Sequence, residues 1–158
     1  MAFLLTTCKK DPEPTTNDGS IVIFSSTFDN HADLALWSQS PGGEAAIVQN
    51  TLNLVAKTSC FKFETKEAIP VQPGKSYFLN FWAKVDSALS GDNHYCGADF
   101  LVQVVKDSTN VVYGNIRNYG WTQKSYSFQV ASADSVRIEF LTGTTRGTWL
   151  GNLELIEQ

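Results

Sequence analysis

The sequence predicts an all-β protein, a sandwich of two packed antiparallel sheets, and three observations carry that expectation. Apolar residues recur in short runs with a period of two, turn residues separate the runs, and no stretch sustains a helical period. The clearest run follows the Pro73-Gly74 turn. It sets Tyr77, Leu79, Phe81, Ala83 and Val85 on one face and Phe78, Asn80, Trp82 and Lys84 on the other. The first set is a core face. The second mixes aromatic and polar groups, and an exposed Trp ring costs solvation unless something covers it, so this is the candidate binding face.

The elements follow in chain order. Residues 9–20 run from Lys9-Lys10-Asp11 into Pro, Thr, Asn, Asp and Gly with nothing to bury, which reads as a flexible tether. The folded domain spans 21–158. Ile21 to Phe28 is its first strand, followed by a loop at Asp29-Asn30-His31, a run from Leu34 to Trp37, and a Pro41-Gly42-Gly43 turn. Ala45 to Val48 and Thr51 to Ala56 come next, and Phe61 and Phe63 continue the alternation to the turn at Pro70 to Lys75. A long polar loop, Asp86 to Gly97, leads to the nearly continuous apolar run Phe100 to Val105, expected in the middle of a sheet. Val111 to Ile116 pairs with it across an Asp107-Ser108-Thr109-Asn110 turn. Arg117 to Trp121 makes an aromatic loop. The last three strands alternate at Tyr126, Phe128 and Val130, at Val136, Ile138 and Phe140, and at Trp149, Leu153 and Leu155. About ten short strands at this spacing imply two sheets face to face.

Composition narrows the function. A chain of 158 residues holds one domain plus a tail, and a domain of that size buries roughly 68 to 70% of its unfolded surface. A net charge of -4 excludes a basic phosphate-binding face, so nucleic acid is not an expected partner. The chain has no Gly-x-Ser-x-Gly elbow, no phosphate loop and no zinc-protease helix, and its two histidines, His31 and His94, both fall in polar loops. No enzyme activity is expected.

The candidate ligand-binding residues are Trp82, Asn80, Gln103, Tyr95, Tyr113, Arg117 and Tyr119. An exposed ring offers a flat stacking surface and an amide offers a donor and an acceptor together, which suits Trp82 beside Asn80 to a ligand with both apolar and polar faces. Gln103 interrupts an apolar strand and is expected on the same sheet surface, because a buried amide needs partners. The tyrosines and Arg117 lie in or beside loops, as a binding rim would. The competing reading packs Trp82 under a loop, bonds Gln103 to backbone and uses the tyrosines to close the ends of the sandwich.

The order of landmarks, with Phe28-Asp29-Asn30, Trp37, Pro73-Gly74-Lys75-Ser76-Tyr77 into Phe81-Trp82-Ala83-Lys84, Trp121-Thr122 and Trp149 to Leu155, resembles the galactose-binding-like jelly rolls of carbohydrate-binding modules. The resemblance covers about Ile21 to Ile156. It implies a jelly roll that binds a polysaccharide or oligosaccharide non-covalently on a concave sheet or at edge loops, and it puts Trp37, Trp121 and Trp149 at framework positions in the core. It also implies a structural calcium, with Asp29 as a ligand. Gly151 stands where a second aspartate would be, which leaves that set one carboxylate short. No other cofactor is implied.

Residues 1–8 end in Leu5-Thr6-Thr7-Cys8, which resembles the lipobox of a bacterial lipoprotein signal with Cys8 as the lipidated residue. Thr7 replaces a smaller residue there, and the run lacks a basic n-region and is short for an h-region, so it reads as a remnant of a signal. The Lys9-Lys10-Asp11 run with Glu13 is similar to the export tag of Bacteroidetes lipoproteins. This implies an outer-membrane lipoprotein, on the cell surface or the periplasmic face, that touches the membrane only through its lipid. With Cys8 set aside, Cys60 and Cys96 form an even pair in an oxidising compartment, expected as a disulfide. The expected function is therefore a lipid-anchored glycan-binding module. The alternative is a structural or protein-interaction subunit of a cell-surface complex that binds no sugar.

Overall fold

The computed structural model describes residues 19–86, 94–132, 134–144 and 147–158, without the side chains of 94, 95 and 144. Cys8 and almost all of the tether lie outside the described residues. Twelve strands are described: β1 (Ile21–Ser26), β2 (Trp37–Gln39), β3 (Gly43–Val48), β4 (Thr51–Ala56), β5 (Phe61–Thr65), β6 (Ile69–Val71), β7 (Tyr77–Val85), β8 (His94–Val104), β9 (Asn110–Asn115), β10 (Thr122–Phe128), β11 (Asp134–Thr144) and β12 (Thr148–Glu157). They form two antiparallel sheets stacked as a jelly-roll sandwich. The first sheet runs β10-β7-β12-β4-β3, and the second β2-β5-β11-β8-β9, with β6 also on β11. Strand β12 carries β4 against its start and β1 against its end.

The alternation in β7 is realised as expected. Tyr77, Leu79, Phe81, Ala83 and Val85 are all buried, and they meet Phe100, Val102, Ile138 and Phe140 from the second sheet in one core cluster. Phe81 packs edge-on against Phe100 and Phe140, with ring centroids 4.9 and 5.4 Å apart. Each such ring contributes about 1.5 to 3 kcal/mol by leaving water. Trp37 is a framework residue as expected: it is 5% exposed, stacks on Phe63 at 4.9 Å and donates its indole N–H to Ser26 Oγ at 3.3 Å.

Two local features differ from, or refine, the strand pattern. The run ahead of Trp37 is a 3-10 helix, His31–Leu36, where an extended segment was expected. Asn30 caps it by accepting from Ala32 N at 2.8 Å, and the Asp33 carboxylate accepts from Phe28 N at 2.6 Å. These local bonds give the backbone an alternative to sheet pairing. The β8–β9 hairpin turns at Asp107 to Asn110, where Asp107 Oδ1 accepts from Thr109 N at 3.0 Å. That backbone bond, with the Thr109 side chain, holds the Asp107 carboxyl below its usual range.

Cys60, just ahead of β5, is disulfide-bonded to Cys96 in β8, with Cα atoms 5.6 Å apart. The bond ties the lead-in to β5 to β8, the two strands that flank β11 in the second sheet. Among the described residues no helix is long and apolar enough to cross a membrane.

Candidate functional site

The outward face of β7 is the centre of the site, and the strand registers on either side decide its neighbours. Across the β7–β10 ladder, Trp82 faces Gln123, Asn80 faces Ser125 and Phe78 faces Ser127. Across the β7–β12 ladder, Lys84 faces Trp149, Trp82 faces Gly151 and Asn80 faces Glu154. Side chains directly opposite in an antiparallel pair share a face. Trp82 therefore stands in open surface, 41% exposed, with a glycine on one side and an amide on the other. Asn80 accepts from Ser125 Oγ at 2.6 Å through its Oδ1, which orients its amide group on this face.

Two tryptophans expected in the core belong to this face instead. Trp121 is 41% exposed and lies beside Trp82. It is delivered by the loop after β9, which Asn118 fastens to the sheet: Asn118 Nδ2 donates to Ala83 O at 2.7 Å and to Gly120 O at 2.8 Å, and Val85 N donates to Asn118 O at 2.9 Å. Trp149 is half-buried and points outward, because a β-bulge in β12 between Gly151 and Glu154 changes the phase of the strand. Leu153 and Leu155 face the core on one side of the bulge; on the other side Leu150, not Trp149, does so.

Trp82 and Trp121 flank a shallow, open cavity of about 300 Å³, lined also by Asn50, Thr51, Gly151 and Asn152. Both asparagines sit in left-handed backbone, Asn50 (φ 59) in the β3–β4 turn and Asn152 (φ 40) in the bulge. Asparagine tolerates that conformation better than most residues. Strained positions of this kind recur at ligand sites, and here two of them line one cavity. A Cβ on Gly151 would stand 3.9 Å from Thr51 and from the Trp121 ring, so the cavity owes its floor to the absent side chain. Every residue lining it is neutral.

Lys84 borders the cavity without lining it. Its ammonium lies 5.5 Å from the Trp121 ring centroid and 5.2 Å from that of Trp149, and 3.7 Å from Asp86 Oδ1. Further along the same row, Asn53 Nδ2 and Trp149 Nε1 converge on Gly147, at 2.5 and 3.1 Å from where a Cβ would stand. Gly147 also has φ 119, so only glycine fits there.

The other residues expected to bind ligand are spread over the molecule. Arg117 and Tyr119 are exposed in the loop leading into Trp121, and neither lines the cavity. Gln103, expected on the surface of Trp82, lies on the second sheet, because its strand β8 pairs with β11 and β9. Its amide donates to Asn110 Oδ1 at 3.2 Å, closing the hairpin. Tyr113 is in the same second sheet, exposed and paired with Leu101, so it too is separated from Trp82. The Tyr95 side chain lies outside the described residues. The residues present do not fit the implied calcium. Asp29 is exposed with its carboxylate accepting from Asn30 at 2.8 Å, Gly151 faces Trp82, and among the described residues no group of three or more His, Cys, Asp or Glu could hold a metal ion.

Sequence reasoning put Trp121 and Trp149 in the core, set Lys84 on the candidate face without a role, and missed Asn50, Thr51 and Asn152. The two-residue gap between the strands ending at Val48 and starting at Thr51 signals the β3–β4 hairpin turn, and hence Asn50. The bulge at Asn152 leaves no comparable mark.

The chain matches no protein-family model and no curated protein. It is similar to solved structures of low sequence identity. A CBM4 structure matches at 15% identity and a TM-score of 0.65, covering 84% of this chain and 97% of that one. The CBM22-1 xylan-binding domain of Paenibacillus barcinonensis Xyn10C matches at 12% identity and 0.57, covering 86% and 94%. A carbohydrate-binding module of Cellvibrio mixtus lichenase 5A, in complex with cellotriose, matches at 11% and 0.54, covering 85% and 97%. These likenesses establish the jelly-roll sandwich.

Proposed function

We propose that this protein is a non-catalytic module that binds a neutral polysaccharide or oligosaccharide on the outward face of its first sheet. The observation that carries the reading is the cavity between Trp82 and Trp121, floored by Gly151 and edged by Asn50, Thr51 and Asn152. Two exposed indoles offer stacking surfaces for C–H faces, and the amides and the hydroxyl around them match sugar hydroxyls. A neutral lining favours a neutral sugar, since an acidic one would bury its charge without a partner. The carbohydrate-binding modules of the same fold support the ligand class. The lipobox-like Cys8 supports attachment to the outer membrane through lipid, facing the surface or the periplasm.

Affinity electrophoresis of the chain carrying Cys8→Ser, in gels containing xylan, hydroxyethyl cellulose, laminarin or alginate, tests the binding. Retardation by a neutral polymer that disappears in a folded Trp82→Ala variant is the expected result. Retardation by alginate alone contradicts the neutral-ligand reading, and no retardation by any polymer turns the reading toward a protein-interaction subunit. Incorporation of labelled palmitate by the wild type and not by Cys8→Ser tests the anchor.

A further inference from the structure

The polar row beside the cavity has a role that the cavity itself does not explain. Trp121 belongs to a loop, not to a regular strand, and 41% of its surface is exposed. Such a side chain loses affinity for any flat ligand if its ring samples several orientations, because ordering it must then be supplied at binding. Asn118 fastens the loop backbone. The ring contact is with Lys84, whose ammonium is close to the indoles of both Trp121 and Trp149. The β7–β12 register places Lys84 and Trp149 directly opposite, so two points of this cluster stand on paired strands. Asp86, two residues along, meets the same ammonium from the third side.

We infer that Lys84 is a positioning residue: its cation bridges the loop indole to the strand indole and holds Trp121 in the orientation that forms one wall of the cavity. This rests on the glycan-binding reading for its functional meaning. The contact between Lys84 and Trp121 stands apart from that reading. The ammonium lies within cation–π range of two rings while a carboxylate balances its charge, so it acts through Trp121 without itself touching the ligand.

The test compares Lys84→Met, which keeps the alkyl stem but removes the charge, with Lys84→Arg, which keeps a cation. The first readout is the indole N–H resonance of Trp121 in the full chain carrying Cys8→Ser, identified by its loss in Trp121→Phe. The second is affinity for the neutral polymer that retards the wild type. In Lys84→Met the Trp121 resonance shifts or broadens while that of Trp37 stays, and affinity falls about two- to fivefold, the worth of one cation–π contact at a partly exposed site. Lys84→Arg restores both. A Trp121 resonance unmoved in Lys84→Met overturns the inference, as does a change that Lys84→Arg fails to reverse. If the wild type binds no polymer, the binding proposal fails, and the resonance comparison still decides whether Lys84 orients Trp121.

Discussion

Gly151 stands directly across from Trp82 in the β7–β12 ladder, and the indole has open space beside it for that reason. A methyl at this position makes ordinary contact with Trp121 and Thr51 at 3.9 Å, whereas a branched side chain occupies the cavity. Gly151→Ala is expected to leave affinity near that of wild type. Gly151→Leu is expected to weaken glycan binding by at least about tenfold, or 1.4 kcal/mol, at an unchanged melting temperature. Calorimetric titration beside a thermal melt separates the two effects.

Three of the four tryptophans, Trp37, Trp82 and Trp121, divide into two classes that one substitution each can distinguish. Trp82→Ala and Trp121→Ala remove exposed rings, so each is expected to lower affinity by about tenfold or more while the fold persists. Trp37→Ala empties a site packed among Phe24, Phe28, Phe63 and Phe140, and is expected to cost about 3 to 5 kcal/mol of stability. Urea unfolding of each variant checks the division.

The Cys60–Cys96 bond closes a loop with a sequence separation of 36 residues. On the chain-entropy account that closure stabilises the fold by about 4 kcal/mol. A Cys60→Ser, Cys96→Ser double variant, unfolded in urea, is expected to lose stability of that order relative to the oxidised wild type. An unchanged midpoint would contradict it.

Glu139 lies on the outward face of the second sheet, in the same row as Glu64, its partner across the β5–β11 ladder. Burial raises its pKa, Lys62 beside it pulls it down, and Glu64 adds to the rise. With the folded value above the unfolded one, the folded protein binds the extra proton. The stability contributed by this group is full below the unfolded pKa, near 4.3, and falls as the pH rises through the raised folded value. Glu139→Gln is therefore expected to raise the melting temperature at pH 7 relative to wild type, and to leave it nearly unchanged at about pH 3.5, below the unfolded pKa, where the Glu139 carboxyl carries its proton in the folded and the unfolded chain alike. Melting curves across that range check the sign.

The fold was legible because alternation records which face of a strand is buried, and β7 shows it without interruption. The outward placement of Trp82 and Asn80 was legible for the same reason. The pattern failed at Trp149 because alternation counted back from Leu155 and Leu153 assumes an unbroken strand. The extra residue at the Asn152 bulge reverses the phase, so Leu150 takes the inward position. The placement of Gln103 and Tyr113 on the second sheet, away from Trp82, was hidden for a different reason. Their outward orientation could be read along the strand, but the sheet to which β8 and β9 belong is a matter of topology, which no local pattern encodes. Trp121 lies just outside a strand, where period-two reasoning has no hold.

The pairing of β1 with the end of β12 has a consequence for how the domain is presented. Ile21, the first residue of β1, is registered with Glu157, while the cavity is built around Gly151 on the same strand. On the facing strand β7 the same stretch runs from Trp82 to Tyr77, about 17 Å at the usual rise. Whatever the chain ahead of Gly19 is attached to, it leaves the domain at the far end of the sheet from the cavity. A support holding the protein by its N-terminus would thus carry the cavity at a distance from the point of attachment. Many copies on one surface could then meet a single long polymer together, gaining in avidity what a shallow single site lacks in affinity.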